Sequence, residues 1–272
     1  MTLQNFLKRI AFNLTKNHKI NVKKYIFTIG APRSGTTLVC QMLNNHPNIL
    51  ISNEDRTIDK ILNKKIKFNE AIKQSNIRAF EEFNNGYKLA AKIQNKWKEI
   101  NKTKLLEKKY IFISGDKKSG QNAEIFNKNK NDFVSLFNKP NIFFLHIVRN
   151  PIAAAKSYEK SHSHEISNFD DALEKILRKN SYGFSLGKII KKNYIKIYYE
   201  DLVADPKKIM KGVINTFKID LDINNNKEWL NLLKENFNQI IIRKKNNKNY
   251  DLFNILKNRY SDDIVHYKKY LY

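Results

Sequence analysis

The sequence predicts an α/β fold of three layers, in which a mostly parallel central sheet is flanked by helices. Three observations carry this. Four short apolar runs, Tyr25–Ile29, Tyr110–Ile113, Ile142–Val148 and Ile195–Tyr199, have the length and the β-branched or aromatic content of buried strands. Long stretches of helical period separate them, among them Ile58 to Phe83, Leu89 to Leu106 and Phe169 to Leu186. Strands that alternate with helices form parallel sheets covered on both faces. The first apolar run is also followed at once by a glycine-bounded turn and a helix-like stretch from Leu38 to Asn44, a strand–loop–helix unit.

At the N-terminus, Leu3, Phe6, Leu7, Ile10, Ala11 and Leu14 form a helical stripe interrupted by Lys8, Arg9 and Lys16. The spacing predicts an amphipathic helix over residues 1–20 that packs on its own domain, with peripheral contact at a membrane surface as its other use. The stretch lacks the uninterrupted apolar core of a signal peptide. Further on, Asp205-Pro206 reads as a helix start, Asp as N-cap and Pro at the first helical position. Ile209, Met210, Val213, Ile214 and Phe217 then give that helix a buried face. From about residue 240 the period is lost, and Arg243-Lys244-Lys245 stands among asparagines as a basic C-terminal segment, read as a lid or a tail. No repeat and no Gly/Ser/Pro linker interrupts residues 1–272, which are read as a single domain.

Composition narrows the function classes. The formal net charge of +25 favours anionic ligands, whether nucleotides, sulfated or phosphorylated substrates, nucleic acid or acidic membranes. Lysine, asparagine and isoleucine are abundant throughout, so part of that charge is solvated surface. Cys40 is the single cysteine and excludes an intramolecular disulfide; it is read as a small core residue in a reducing, cytoplasmic compartment. No apolar run approaches the length that spans a bilayer.

The chemistry concentrates just beyond the strand ends, where open α/β sheets bind their ligands. Gly30-Ala-Pro-Arg-Ser-Gly-Thr-Thr37 fits the spacing of a phosphate-binding loop, but Thr36 stands where a nucleoside triphosphatase has its lysine. Backbone N–H groups and a helix N-terminus can still cradle a phosphate, with Arg33 supplying the cation. The missing lysine argues against the triphosphate of ATP or GTP. After the third run come Arg149, a forked and permanently charged donor suited to phosphate, then Pro151 opening a helix, and Ser157 two turns along it. After the second run comes Gly115-Asp-Lys-Lys-Ser119.

The loop together with Arg149-x-Pro…Ser157 resembles the two signature elements of sulfotransferases that use 3′-phosphoadenosine 5′-phosphosulfate. Tyr199-Glu-Asp-Leu-Val-Ala-Asp-Pro206 is similar to the strand-to-helix segment of the same family, and the resemblance spans roughly residues 25 to 217. It implies a P-loop-like fold in which Arg33, Ser34, Gly35, Thr36 and Thr37 hold the 5′-phosphosulfate. Arg149 and Ser157 hold the 3′-phosphate, and Tyr199 belongs to the same donor site. The local likeness is to the tyrosylprotein and carbohydrate branches, in which the loop is followed by His-Pro and an acidic residue, here His46-Pro47…Glu54. Glu54 stands twenty-one residues after Arg33, the spacing of the catalytic glutamate in the tyrosylprotein enzymes. It is the expected base for an acceptor hydroxyl, with Asp55 as its rival.

By the same resemblance Lys117, with Lys118 as substitute, and Arg33 stabilise charge on the leaving 3′,5′-adenosine bisphosphate. His46 is expected to shape the turn before Pro47, and His162 and His164 are not expected to bind metal. The reaction calls for none. The single cysteine and the lack of an anchor fit a carbohydrate or lipid acceptor better than a secretory tyrosylprotein enzyme. Two other classes stand beside this one. A magnesium-dependent small-molecule kinase would use Asp116 as metal ligand. A nucleic-acid binder would explain the charge but lacks any recognisable motif, so no nucleic-acid partner is expected.

Overall fold

The computed structural model describes residues 19–63, 66–85, 110–161, 168–218, 227, 229–231, 233 and 252–271. The expected N-terminal helix, the stretch from Leu89 to Leu106, His162, His164 and the Arg243–Lys245 run lie outside the described residues. Strand β1 (Lys19–Gly30) leads through the loop into α1 (Thr36–Asn44), then β2 (Ile49–Asn53), α2 (Thr57–Leu62) and α3 (Phe68–Asn85). Strand β3 (Tyr110–Lys117) is followed by α4 (Ser119–Lys128) and α5 (Lys130–Phe137). Then come β4 (Ile142–Val148), α6 (Pro151–Ser161) and α7 (Phe169–Ile190). Strand β5 (Tyr194–Tyr198) leads into α8 (Tyr199–Ala204) and α9 (Pro206–Phe217), and the last described part holds α10 (Leu252–Arg259) and α11 (Ile264–Tyr267) with 3-10 turns after each.

The described strands form one sheet in the order β2-β3-β1-β4-β5, and every pairing is parallel. Side chains of successive strand residues point to opposite faces, so a strand covered on both sides must be apolar throughout. Strand β4 is buried at all seven positions and apolar at six of them; the exception, His146, has its Nδ1 at 2.5 Å from the Tyr194 hydroxyl. Ile26, Phe143, Leu145 and Ile147 face the layer of α1, α8 and α9, together with Met210, Phe217 and Trp229. Tyr25, Phe27, Ile142 and Phe144 face the opposite layer, with Ile58, Phe126, Phe133, Phe137 and Leu186 of α2, α4, α5 and α7. A third cluster packs Leu256 and Tyr267 against α6, α7 and the end of β4.

Two expectations change. Strand β2 has no counterpart among the expected runs; Ile49–Asn53 is an edge strand of five residues, pinned by Asn44, whose Oδ1 accepts from the Ile51 N–H (2.7 Å) and whose Nδ2 donates to the Ile51 carbonyl (2.9 Å). The helix expected from Ile58 to Phe83 is two helices, because Asn63 ends α2 and α3 begins only at Phe68. Asp205 caps α9 as expected, its Oδ1 accepting from the Lys208 N–H (2.9 Å). Cys40 is buried, and burial pushes its thiol up to about 12.

The register places the loop at the middle of the sheet. Thr28 of β1 is level with Lys117 of β3, and Gly30 is level with Ile147 of β4. Whatever follows β3 and β4 therefore emerges on either side of the loop, two strand spacings or about 10 Å apart.

Candidate anion and proton-transfer site

The loop closes on itself before any ligand is considered. Ser34 is buried, and both its N–H (3.2 Å) and its hydroxyl (2.8 Å) donate to the Ala31 carbonyl. Ser34 thus shapes the loop from within. Gly35 has φ 98° and is the N-cap of α1, which has no side-chain cap and no acidic residue in its first turn. A Cβ at position 35 would fall 2.4 Å from the Tyr199 ring, so only glycine fits beneath that ring. An uncapped helix start with half-buried Thr37 beside it leaves N–H donors for an anion. Thr36 is buried at the same turn.

On the β4 side, the Arg33 Nε donates to Ser157 Oγ (3.1 Å), and an Arg149 N–H donates to the Arg33 carbonyl (2.9 Å). The Arg149 guanidinium lies 4.5 Å over the Tyr199 ring. Four of the expected residues therefore meet at one point, although Arg33 turns toward Ser157 rather than standing alone over the loop. Arg33 itself is in the left-handed region at φ 64°, where non-glycine residues are uncommon. Neither arginine has a carboxylate partner among the described residues. Desolvation, and then the like charge of Arg149, lower the Arg33 pKa from its usual value. Pro151 opens α6 as expected, and Asn150 caps it, its Oδ1 accepting from the Ala153 N–H (3.1 Å).

On the β3 side the cations are already matched. Lys117 Nζ donates to Glu54 Oε1 (2.7 Å) and Lys118 Nζ lies 2.5 Å from Glu54 Oε2. Both lysines thus face the same carboxylate. Burial alone would raise the Glu54 pKa, but Lys117 and then Lys118 outweigh it and hold the carboxyl below its usual range. Glu54 has φ 62° and Arg56 has φ 58°, a backbone that non-glycine residues rarely adopt. Three bonds hold it. The Glu54 N–H donates to the Lys117 carbonyl (2.7 Å), and the Asp116 carboxyl accepts from the N–H groups of Asp55 (3.1 Å) and Thr57 (3.0 Å).

Asp116 is fully buried, and burial first raises its pKa to about 6. Its two oxygens are taken by the backbone that presents Glu54, which leaves it shaping the turn. Asp55, the expected rival, is also tied down: Lys60 lies 3.0 Å from it, Arg78 lies 3.6 Å from it, and the Thr57 hydroxyl donates to it (3.2 Å). His46 plays its expected structural part, its Nδ1 accepting from the Asn48 N–H (3.1 Å) while its ring packs edge-on to Trp229. Among the described residues no cluster of three or more His, Cys, Asp or Glu could hold a metal ion, and no helix is long and apolar enough to cross a membrane.

Sequence reasoning missed the braces. Asn180 of α7 accepts from the Ala31 N–H (3.2 Å), and Glu200 of α8 accepts from the Asn150 N–H (3.0 Å). Each bridges segments distant in sequence. Only the position of Glu200, directly after Tyr199 in a segment already singled out, gave a signal.

The sequence model of the sulfotransferase family matches residues 25–222. No curated protein matches the chain. Among solved structures, the sulfotransferase domain of the Synechococcus PCC 7002 olefin synthase is 24% identical, with 79% of this chain and 78% of that chain covered and a TM-score of 0.48. The sulfotransferase domain from the curacin biosynthetic pathway is 18% identical over 75% of this chain and 77% of that chain, TM-score 0.49. Mouse sulfotransferase SULT7A1, solved in complex with PAP, is 16% identical over 82% of this chain and 68% of that chain, TM-score 0.42.

Proposed function

The chain belongs to the sulfotransferase family, and we propose that it moves a sulfuryl group from 3′-phosphoadenosine 5′-phosphosulfate to a hydroxyl of a saccharide or lipid. One observation carries the reading: Arg33 and Arg149 converge on Ser157 and Tyr199 with no carboxylate between them among the described residues. Two guanidinium groups held together repel each other, and a bound phosphate supplies the missing charge through forked hydrogen bonds.

The residues fit this donor. Arg149, Ser157 and Arg33 would hold the 3′-phosphate, and Tyr199 offers its ring to the same end. Gly35, Thr36 and Thr37 at the uncapped start of α1 would hold the 5′ end, with Ser34 keeping the loop in shape. The donor supplies the sulfuryl group and departs as 3′,5′-adenosine bisphosphate. Glu54 takes the proton from the acceptor hydroxyl as its oxygen bonds to sulfur. Lys117 stabilises the negative charge left on the departing phosphate oxygen.

Glu54 is ionised at neutral pH, which a base requires, and its lysines must be drawn toward the ligand before its lone pairs are free. The kinase reading needs Asp116 open to a magnesium ion, whereas both its oxygens accept from backbone N–H groups. A cytoplasmic setting belongs to the same proposal and rests on a buried, undisulfided Cys40.

The test is a thermal shift series. The bisphosphate is expected to stabilise the protein at concentrations where ATP with magnesium and a DNA oligonucleotide do not. A preference for ATP with magnesium would sink the proposal.

A further inference from the structure

Tyr198, Glu200 and Asp201 each bond to a residue of the 266–270 segment. The Tyr198 hydroxyl donates to the His266 carbonyl (3.0 Å), the Tyr270 hydroxyl donates to Glu200 Oε2, and Lys269 Nζ donates to Asp201 Oδ1 (2.7 Å). Lys269 also lies 4.4 Å from the centre of the Tyr198 ring. Tyr199, inside the clasped stretch, is the residue that fills the space over Gly35 and underlies Arg149. The other oxygen of Glu200 accepts from the N–H of Asn150, next to Arg149.

A second route leaves the same segment. The Tyr267 hydroxyl accepts from Asn180 Nδ2 (2.9 Å), and Asn180 Oδ1 accepts from the N–H of Ala31, next to Gly30. Asn180 and Tyr267 are both buried, so neither bond has water as an alternative. The family match ends at residue 222, so the 266–270 side of these contacts lies beyond it.

We propose that the 266–270 segment is a positioning element of the donor site: through Glu200 it sets Arg149 and Tyr199, and through Asn180 it sets the phosphate-binding loop. It touches no donor atom itself. This rests on the reading of Arg33, Arg149 and the loop as that site. The Tyr270–Glu200 bond is the stronger strut, since a hydroxyl donating to an ionised carboxylate is charge-assisted. Burial, and then Glu200, push the Tyr270 hydroxyl well above its ordinary pKa, so it remains the donor of that bond. Glu200 then has one fixed orientation in which its second oxygen meets Asn150.

Tyr270→Phe keeps the ring and removes the strut. Titration calorimetry with 3′,5′-adenosine bisphosphate is expected to show affinity weakened about fivefold. In turnover assays KM for the donor should rise by the same factor while kcat stays within about twofold. Lys188→Ala breaks a different tie to the same end of the chain, the 3.7 Å ion pair with Asp262, and should leave the affinity unchanged. A Tyr270→Phe protein that melts earlier yet binds the bisphosphate as the wild type does has lost only stability, and the inference falls. Equal weakening by Lys188→Ala would overturn it as well, since the effect would then be general loosening. A wild-type protein that ignores the bisphosphate removes the donor reading and the inference together.

Discussion

The two flanks of the phosphate-binding loop hold their cations in opposite ways. Beside β4, Arg33 and Arg149 face each other with Ser157, a carbonyl and an aromatic ring as their partners among the described residues. Beside β3, Lys117 and Lys118 both close on Glu54. The first flank keeps an unmatched positive charge, which on the proposed reading an anion completes. The second is complete in itself, and a ligand must compete with Glu54 for the lysines. Binding strength should therefore be concentrated on the arginine flank and proton transfer on the glutamate flank, although the register sets them only two strands apart.

The strongest way to break that division is Glu54→Gln. It should cut turnover by about 10²- to 10⁴-fold, the usual worth of a positioned base, while bisphosphate affinity is not weakened. Near wild-type turnover would end the assignment, and Asp55 could not easily inherit it, being engaged with Lys60, Arg78 and Thr57. Next in size is Arg149→Ala, expected to weaken bisphosphate binding about 10- to 100-fold as one charged donor is lost. If calorimetry showed that binding intact, the arginine flank would not be where the anion sits.

The smallest effect sharpens the comparison rather than breaking it. Asp116→Asn leaves one of two backbone N–H groups facing an amide nitrogen, which should lower stability by about 1–3 kcal/mol. The folded protein binds the Asp116 proton more tightly, at about 6 against an ordinary 3.8. Wild-type stability therefore falls as pH rises between these values and levels off above them. The melting-temperature gap between wild type and Asp116→Asn should be widest near pH 4 and narrower at pH 7. A gap that widens toward pH 7 would mean that the two N–H donors hold Asp116 ionised.

What could be read from the sequence was what lies within one segment. The loop, the strand-end Arg149, the Pro151 helix start and the Asp205 cap each depend on neighbours a few residues away. Strand β2 was hidden because five residues at a sheet edge carry too little pattern, and its anchor Asn44 lies in the preceding helix. The break between α2 and α3 was hidden because the apolar spacing carries on across it. The partners of Glu54 were legible as candidates, but that both lysines reach it depends on β2 and β3 being adjacent. Asn180 and Glu200 left almost no trace, since a polar residue on a helix shows its partner only once the sheet has formed.

The Asn180 bridge also has a consequence in time. Asn180 follows Ala31 by 149 residues, and Tyr267 follows Asn180 by 87. At about 5–20 residues per second, ribosomal synthesis of that interval takes roughly 10–50 s. The loop is thus translated early and waits, unbraced, for residues made much later. A nascent chain stalled before Tyr267 would carry every signature residue of the site and still lack part of what holds them in place.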